Sequence, residues 1–177
     1  MPSSYFIPEI IPLATTLPHG SILDIGPGFG KYGMLLREYL EIWAGRYHKK
    51  DWKVRIDCIE VFEEYITPIH KHIYNQIYIG NAEKIINELR SYDLILILDV
   101  IEHMDKEVGV KFIDDCKKKC SAIMIATPKG FTAQGPYLGN QFEIHKSGWE
   151  KEDFEALGFK SKAILRHDKI LTCWEKK

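Results

Sequence analysis

A glycine-rich segment that follows a short apolar run constrains the fold of this chain more than any other feature. The segment LDIGPGFGKYG contains Gly26, Gly28, Gly30 and Gly33 and leads into apolar residues at helical spacing. Glycine adopts positive φ without strain and lets a ligand approach the backbone closely. The first turn of the following helix presents unpaired N–H groups. The segment therefore predicts a strand, a tight turn and a helix that together hold a nucleotide-like ligand.

Three interpretations of this turn stay open. Its last three glycines match G-x-G-x-x-G, the pattern of dinucleotide sites that hold a pyrophosphate. Asp24 stands two residues before the first glycine, and a carboxylate there suits a ligand that carries an ammonium group rather than a pyrophosphate. Glu60 ends the second predicted strand, much further along the chain than the about 20 residues of the dinucleotide pattern. A helix-entry turn without a ligand is the third interpretation, which four glycines in so short a segment disfavour.

The order of apolar patterns predicts the fold class. Five strand patterns alternate with helical ones, and DLILILDV is a nearly continuous apolar run, typical of a central parallel strand covered on both faces. The last residues form two strand patterns around a His-Asp turn, which predicts an antiparallel hairpin. We expect an α/β fold, doubly wound, with a mostly parallel seven-stranded sheet and a C-terminal antiparallel hairpin strand. Residues 1–177 should form one domain, with 1–20 as an N-terminal lid or cap.

Composition excludes several classes of protein. Lys plus Arg number 24 and Asp plus Glu 25, so the chain lacks the basic surplus of a dedicated nucleic-acid binder. The four cysteines form no C-x-x-C pair, which predicts neither a zinc site nor a disulfide framework and favours a cytoplasmic location. The sequence contains no signal-peptide pattern and no apolar run of 18 residues, so we expect no membrane span.

Four segments in register resemble class I S-adenosylmethionine (SAM)-dependent methyltransferases. LDIGPGFG is similar to the family's first motif, and DCIEV places an acid at the end of the second strand. GNAEKI stands where the family often has Gly-Asp-Ala, with Asn81 in place of the aspartate, and LDVIEHM resembles the D-V-x-E-H segment after strand four. The closing hairpin matches the family's antiparallel seventh strand. The resemblance covers about residues 20 to 177.

This resemblance implies SAM as cofactor, with S-adenosylhomocysteine (SAH) as product. It assigns the ribose hydroxyls to Glu60, whose carboxylate can accept two hydrogen bonds, and the adenine amino group to Asn81. The residues implied in cofactor binding are Asp24, Gly26, Gly28, Gly30, Glu60, Asn81, Ala82, Asp99 and Val100.

The methyl group of SAM is already activated by the sulfonium, so the protein mainly has to position the reactants. A base is useful if the acceptor is a hydroxyl, and histidine suits that task near neutral pH. His145 is the first candidate because it lies in a long aperiodic loop after strand five; it could instead order that loop or bind substrate. His103 is the second candidate. We expect Phe131, Tyr137 and Trp149 to shape the substrate pocket, although Trp149 could equally pack against the helix that starts beside it.

The acceptor is predicted to be a small molecule. The N/D-P-P-Y/F run of many enzymes that methylate nucleic-acid bases is replaced after strand four by DVIEHM. An RNA or protein acceptor stays open, as does the acceptor atom: oxygen, nitrogen or carbon. Two other functions compete: a SAM-binding or nucleotide-binding module without catalysis, and an NAD-type oxidoreductase.

Overall fold

The computed structural model describes residues 4–16 and 20–176, with the backbone alone for residues 160–166. The strands, in chain order, are β1 (Ser21–Ile25), β2 (Arg55–Glu60), β3 (Ile77–Ile79), β4 (Tyr92–Leu98), β5 (Cys120–Pro128), β6 (Lys160–Arg166) and β7 (Lys169–Glu175). The helices are α1 (Ile7–Thr16), α2 (Lys31–Arg37), α3 (Pro68–Ile73), α4 (Ala82–Ile85), α5 (Lys106–Lys118) and α6 (Lys151–Ala156). A π-helical turn, Glu38–Ile42, continues α2.

All seven strands join one sheet in the order β3-β2-β1-β4-β5-β7-β6. The first five strands are parallel, whereas β7 runs antiparallel to both β5 and β6. The strand order reverses between β1 and β4, and open α/β sheets bind ligands at such a point, outside the carboxyl ends of the strands. The predicted fold class is therefore confirmed, including the hairpin that a plain dinucleotide-binding sheet does not have.

The sheet is covered on both faces, which explains the continuous apolar run of β4. Alternate β4 side chains point to opposite faces, so Ile95 and Ile97 join a core with α5, while Leu94 and Leu96 join a core with α1 and α2. All four side chains are fully buried. Burying an isoleucine or leucine side chain contributes about 1.5–3 kcal/mol, so this central strand anchors both layers.

The N-terminal segment belongs to one of these layers. Phe6, Ile10 and Ala14 are fully buried and pack in the same apolar cluster as Leu36 of α2. None of the described residues 4–16 lines the cleft at the carboxyl ends of β1, β2 and β4. The lid expected for this segment is thus, in its described part, a helix of the hydrophobic core.

The helices and the cysteines show two further properties of the described residues. No helix in residues 4–16 and 20–176 is long and apolar enough to cross a membrane. Cys58, Cys116 and Cys120 are buried thiols, and burial raises the pKa of each, so they behave as small apolar side chains.

Candidate active site

A cleft lies at the carboxyl ends of β1, β2 and β4, where the strand order reverses. It encloses about 1010 Å³ of empty space, including its open mouth. Seven of the nine residues implied in cofactor binding line it: Gly26, Gly28, Glu60, Asn81, Ala82, Asp99 and Val100.

The glycine loop forms the floor of this cleft and is held from below. Gly26 has φ +65° and Gly28 φ +57°, values that disfavour side chains. A Cβ on Gly26 would stand 2.5 Å from Val100 Cγ2, so the loop can pack against the end of β4 only as glycine. The buried His70 accepts from the Thr67 N–H through Nδ1 at 3.1 Å and therefore donates through Nε2 to the Gly28 carbonyl at 2.7 Å. The fold thus fixes the loop before any ligand arrives.

Asp24 and Gly30 lie behind the loop and outside the cleft wall. The Asp24 side chain is 1% exposed, its Oδ2 accepts from the Tyr74 hydroxyl at 2.6 Å, and its Oδ1 has no hydrogen-bond partner among the described residues. Burial raises the Asp24 pKa to about 6, partly offset by the Tyr74 hydrogen bond. Gly33 makes room for that tyrosine, because a Cβ there would meet the Tyr74 ring and hydroxyl. The third glycine of the G-x-G-x-x-G match therefore serves side-chain packing.

Glu60 closes β2 at the side of the cleft where the family resemblance places the ribose. Its side chain is 5% exposed, and one carboxylate oxygen accepts from the Phe62 N–H at 2.9 Å. Burial raises the Glu60 pKa to about 7, against the opposing effect of backbone N–H groups at Phe62 and Val61. Asn81 follows β3 and precedes the first turn of α4. A buried carboxylate and an amide therefore face one cleft, as the sequence motifs predict.

Asp99 and Val100 form the turn after β4. Asp99 has φ +54°, which is uncommon outside glycine and marks local strain. Its backbone N–H donates to the Ala126 carbonyl at 2.7 Å, and its Oδ1 lies 2.5 Å from the Lys169 ammonium of β7. These contacts hold the strained turn at the edge of the cleft.

The long loop between β5 and α6 forms the opposite wall. Backbone N–H groups of Lys146 and Ser147 donate to the Glu102 carbonyl at 2.8 and 3.1 Å, which fastens the loop to the turn after β4. The Tyr65 hydroxyl reaches across from the segment after β2 and donates to Glu143 Oε1 at 3.2 Å. The cleft residues on this side are Tyr65, His103, Met104, Asn140, Phe142, Glu143 and Lys146. Tyr65 had no sequence feature to indicate it, whereas His103 and Met104 belong to the LDVIEHM segment and the other four residues to the aperiodic loop.

Both candidate histidines lie at this wall, with ring centroids 4.9 Å apart. His103 lines the cleft, and His145 stands behind it. His103 Nδ1 lies 3.2 Å from the Ile144 carbonyl, and His145 Nδ1 lies 2.6 Å from the Thr132 carbonyl. Burial lowers the pKa of His103. The structure thus brings the two rings together. Each ring also lies against a backbone carbonyl of the loop, in keeping with the alternative role of His145 in ordering that loop.

The three aromatic residues expected at the substrate pocket do not line the cleft. Trp149 is fully buried, stacks on Phe154 at 5.2 Å and donates its indole N–H to the Ser147 hydroxyl, so its prediction as a substrate contact is wrong and its alternative packing role is the observed one. Phe131 and Tyr137 are 62% and 49% exposed and belong to the outer part of the loop.

The fold is shared with solved methyltransferase structures. No protein-family model matches the sequence, and no curated protein matches it. The N-terminal domain of EvdMO1 with SAH bound matches with a TM-score of 0.70 at 12% identity, over 99% of this chain and 83% of that one. PigF with SAH matches with 0.61 at 15% identity, over 98% and 55%. An O-methyltransferase family 2 protein from Planctomyces limnophilus, in complex with apigenin, matches with 0.58 at 14% identity, over 93% and 55%.

The chain spans about half the length of the last two proteins. At identities this low, the structural likeness establishes the fold alone. The chain has the class I methyltransferase fold, as its sequence motifs predicted.

Proposed function

We propose that the protein is a SAM-dependent methyltransferase that acts on a small-molecule acceptor. The observation that carries this proposal is the meeting of four separate sequence motifs in one cleft, at the strand-order reversal of the sheet. The two structural neighbours described with SAH support the choice of cofactor. The neighbour in complex with apigenin supports a small organic acceptor.

The residues present fit SAM. Glu60 would accept the two ribose hydroxyls, since its carboxylate lines the cleft and keeps acceptor capacity beyond its bond to Phe62. Asn81 would accept from the adenine amino group through its carbonyl oxygen. Gly26 and Gly28 leave the floor free of side chains, so the ligand can approach the backbone. Asp24 would act from behind the loop, as the carboxylate that holds Tyr74.

SAM supplies an activated methyl group, and the chain supplies position and shelter from water. The loop wall of Asn140, Phe142 and Lys146 faces the cofactor motifs across the cleft, so the acceptor would bind between them. A hydroxyl acceptor must lose its proton, and the nearest candidate groups are His103 at the wall and His145 behind it. The buried thiols are in keeping with a reducing, cytoplasmic setting, which we propose on the same footing.

Calorimetric titration with SAM, SAH and NAD in parallel tests this function. We expect SAM and SAH to bind with micromolar affinity and NAD not to bind. Glu60→Ala should weaken SAH binding by about 1–3 kcal/mol for a lost charged hydrogen bond, whereas Glu63→Ala, on the exposed turn after β2, should bind normally. Binding of NAD alone would make the protein an oxidoreductase and refute the proposal.

Turnover separates an enzyme from a binding module. Radiolabelled methyl-SAM should transfer its label to one or more members of a panel of phenols, sugars and amines. Transfer to RNA or protein substrates instead would show that the acceptor is a macromolecule and not a small molecule. SAH binding without transfer to any of these acceptors would favour a non-catalytic module.

A further inference from the structure

Three side chains with metal-binding atoms converge behind the loop wall of the cleft. Glu102, His103 and His145 each offer a ligand atom, and these atoms all lie within 4.8 Å of one another. Glu102 and His103 come from the turn after β4, whereas His145 arrives on the long loop some forty residues later. The convergence is built by the backbone, because the N–H groups next to His145 donate to the Glu102 carbonyl.

Both imidazole rings are oriented to present a lone pair. A carbonyl oxygen can only accept, so Nδ1 carries the hydrogen in His103, which faces the Ile144 carbonyl, and in His145, which faces the Thr132 carbonyl. Nε2 is then the unprotonated nitrogen of each ring. Metal-binding histidines almost always donate their other N–H to a carbonyl or carboxylate in this way, which fixes tautomer and ring orientation.

The carboxylate completes the set. Glu102 is 2% exposed, its Oε2 accepts from the Thr127 hydroxyl at 3.1 Å, and it forms no ion pair with the described residues. A buried carboxylate is costly unless it is paired or bound to a metal. The nearby ammonium of Lys169 is engaged by Asp99. The donors that reach the Glu102 carboxylate, the Thr127 hydroxyl and the Glu102 backbone N–H, are neutral, and a bound cation would compensate the negative charge of this buried side chain.

We propose that Glu102, His103 and His145 bind one divalent transition-metal ion of the zinc, manganese or iron(II) class at the acceptor side of the cleft. Two imidazoles and one carboxylate are the donor set of open, catalytic metal sites, which keep further positions for water or substrate. The sequence shows no regular spacing of metal ligands, because the third ligand, His145, lies on a distant loop. This proposal therefore replaces the expectation from the sequence that the protein has no metal site.

The use of this metal rests on the proposed function. His103 is shared between the metal group and the cleft wall, so an acceptor hydroxyl bound to the ion would stand at the cofactor motifs. A bound divalent ion makes a hydroxyl easier to deprotonate. The acceptor oxygen then forms its bond to the methyl carbon as the S–C bond breaks, sulfur keeps that electron pair as the thioether of SAH, and the hydroxyl proton passes to water. His103 and His145 would serve as ligands and not as bases.

Metal titration of the EDTA-treated, dialysed protein tests the site. We expect one Zn²⁺ or Mn²⁺ per chain by calorimetry, with a matching stoichiometry by elemental analysis and a higher melting temperature when the ion is present. His145→Ala and Glu102→Gln should each weaken that binding by more than the roughly 10–100-fold typical of losing an outer-shell partner. His48→Ala, which removes an exposed histidine elsewhere, should leave the stoichiometry unchanged.

Measuring SAH binding beside metal binding distinguishes a failure of the proposed function from a failure of the metal site. His145→Ala should still bind SAH, since this side chain stands outside the cleft wall, and that result shows that the variant is folded. Metal binding without SAH binding would leave the metal site standing and remove the proposed function. No metal binding by the parent, or binding that His145→Ala and Glu102→Gln do not change, overturns the metal site. Turnover that survives EDTA but is slowed in His145→Ala would overturn the use of the metal in methyl transfer, in favour of a histidine base.

Discussion

Glu60 should make cofactor binding depend on pH. Its carboxyl group is 5% exposed, and burial raises its pKa to about 7. A ligand that donates two ribose hydroxyls binds the ionised carboxylate, which accepts both bonds. Without ligand, the ionised fraction rises from about one tenth at pH 6 to about nine tenths at pH 8 for a pKa near 7. SAH should therefore bind about tenfold more tightly at pH 8 than at pH 6, or about 1.4 kcal/mol.

The same pKa predicts the sign of a stability effect. An acid whose pKa is raised by folding destabilises the folded state in its ionised form, so this contribution grows as pH rises from 4.5 to about 7 and stays constant above. A rise of that size corresponds to about 3 kcal/mol. Glu60→Gln removes the charge with little change of shape, so the ligand-free variant should be at least as stable as the parent at pH 8 in urea unfolding.

The assay is calorimetric titration of SAH at pH 6, 7 and 8 into three proteins. The parent should show the tenfold change, Glu60→Gln should bind more weakly with little pH dependence, and the exposed Glu63→Gln should behave as the parent. Titration of SAH itself is common to all three and cancels in the comparison. A parent whose affinity is the same at pH 6 and pH 8, or a Glu60→Gln variant that keeps the full change, would refute the assignment of Glu60 to the ribose.

Substitutions at three positions test how the fold supports the site. Gly33→Ala places a Cβ against the buried Tyr74 ring and should lower the free energy of unfolding by about 1–3 kcal/mol through overpacking; unchanged stability would contradict the packing role of this glycine. His70→Leu should weaken SAH binding by about 1–3 kcal/mol, because leucine cannot donate a hydrogen bond to the buried Gly28 carbonyl; an unchanged SAH affinity in calorimetry would show that the loop needs no such support. Trp149→Ala should cost about 3–5 kcal/mol of stability in urea unfolding, whereas Trp149→Phe should leave SAH affinity unchanged if this side chain touches only the core.

Several parts of the site were predictable because their positions depend on local patterns. The glycine loop follows β1, Glu60 ends β2 and Asp99 follows β4. Because parallel strands bring their carboxyl ends to one edge of a sheet, these residues are expected to lie along that edge. Once the strand order is fixed, these residues meet in one cleft whatever the details of the loops. The antiparallel pairing of β6 and β7 was predictable from their tight turn, because two strands joined by such a turn can only pair antiparallel.

The long loop after β5 was predictable as a functional segment but not in its path. It has no apolar period, so nothing in the sequence says which of its aromatic side chains turn inward. Its course is decided by backbone hydrogen bonds to the Glu102 carbonyl and by the Tyr65–Glu143 contact. Those contacts bury Trp149, turn Phe131 outward and leave Phe142 at the cleft.

The sequence by itself determined the sheet, the glycine floor and the carboxylates along its edge, because strand periodicity and glycine stereochemistry act over a few neighbouring residues. Only the tertiary structure decided that Asp24 turns to Tyr74 behind the loop and that His145 joins Glu102 and His103. Both arrangements join residues far apart in the chain, and side-chain burial and hydrogen bonding at such distances are fixed only when the elements pack.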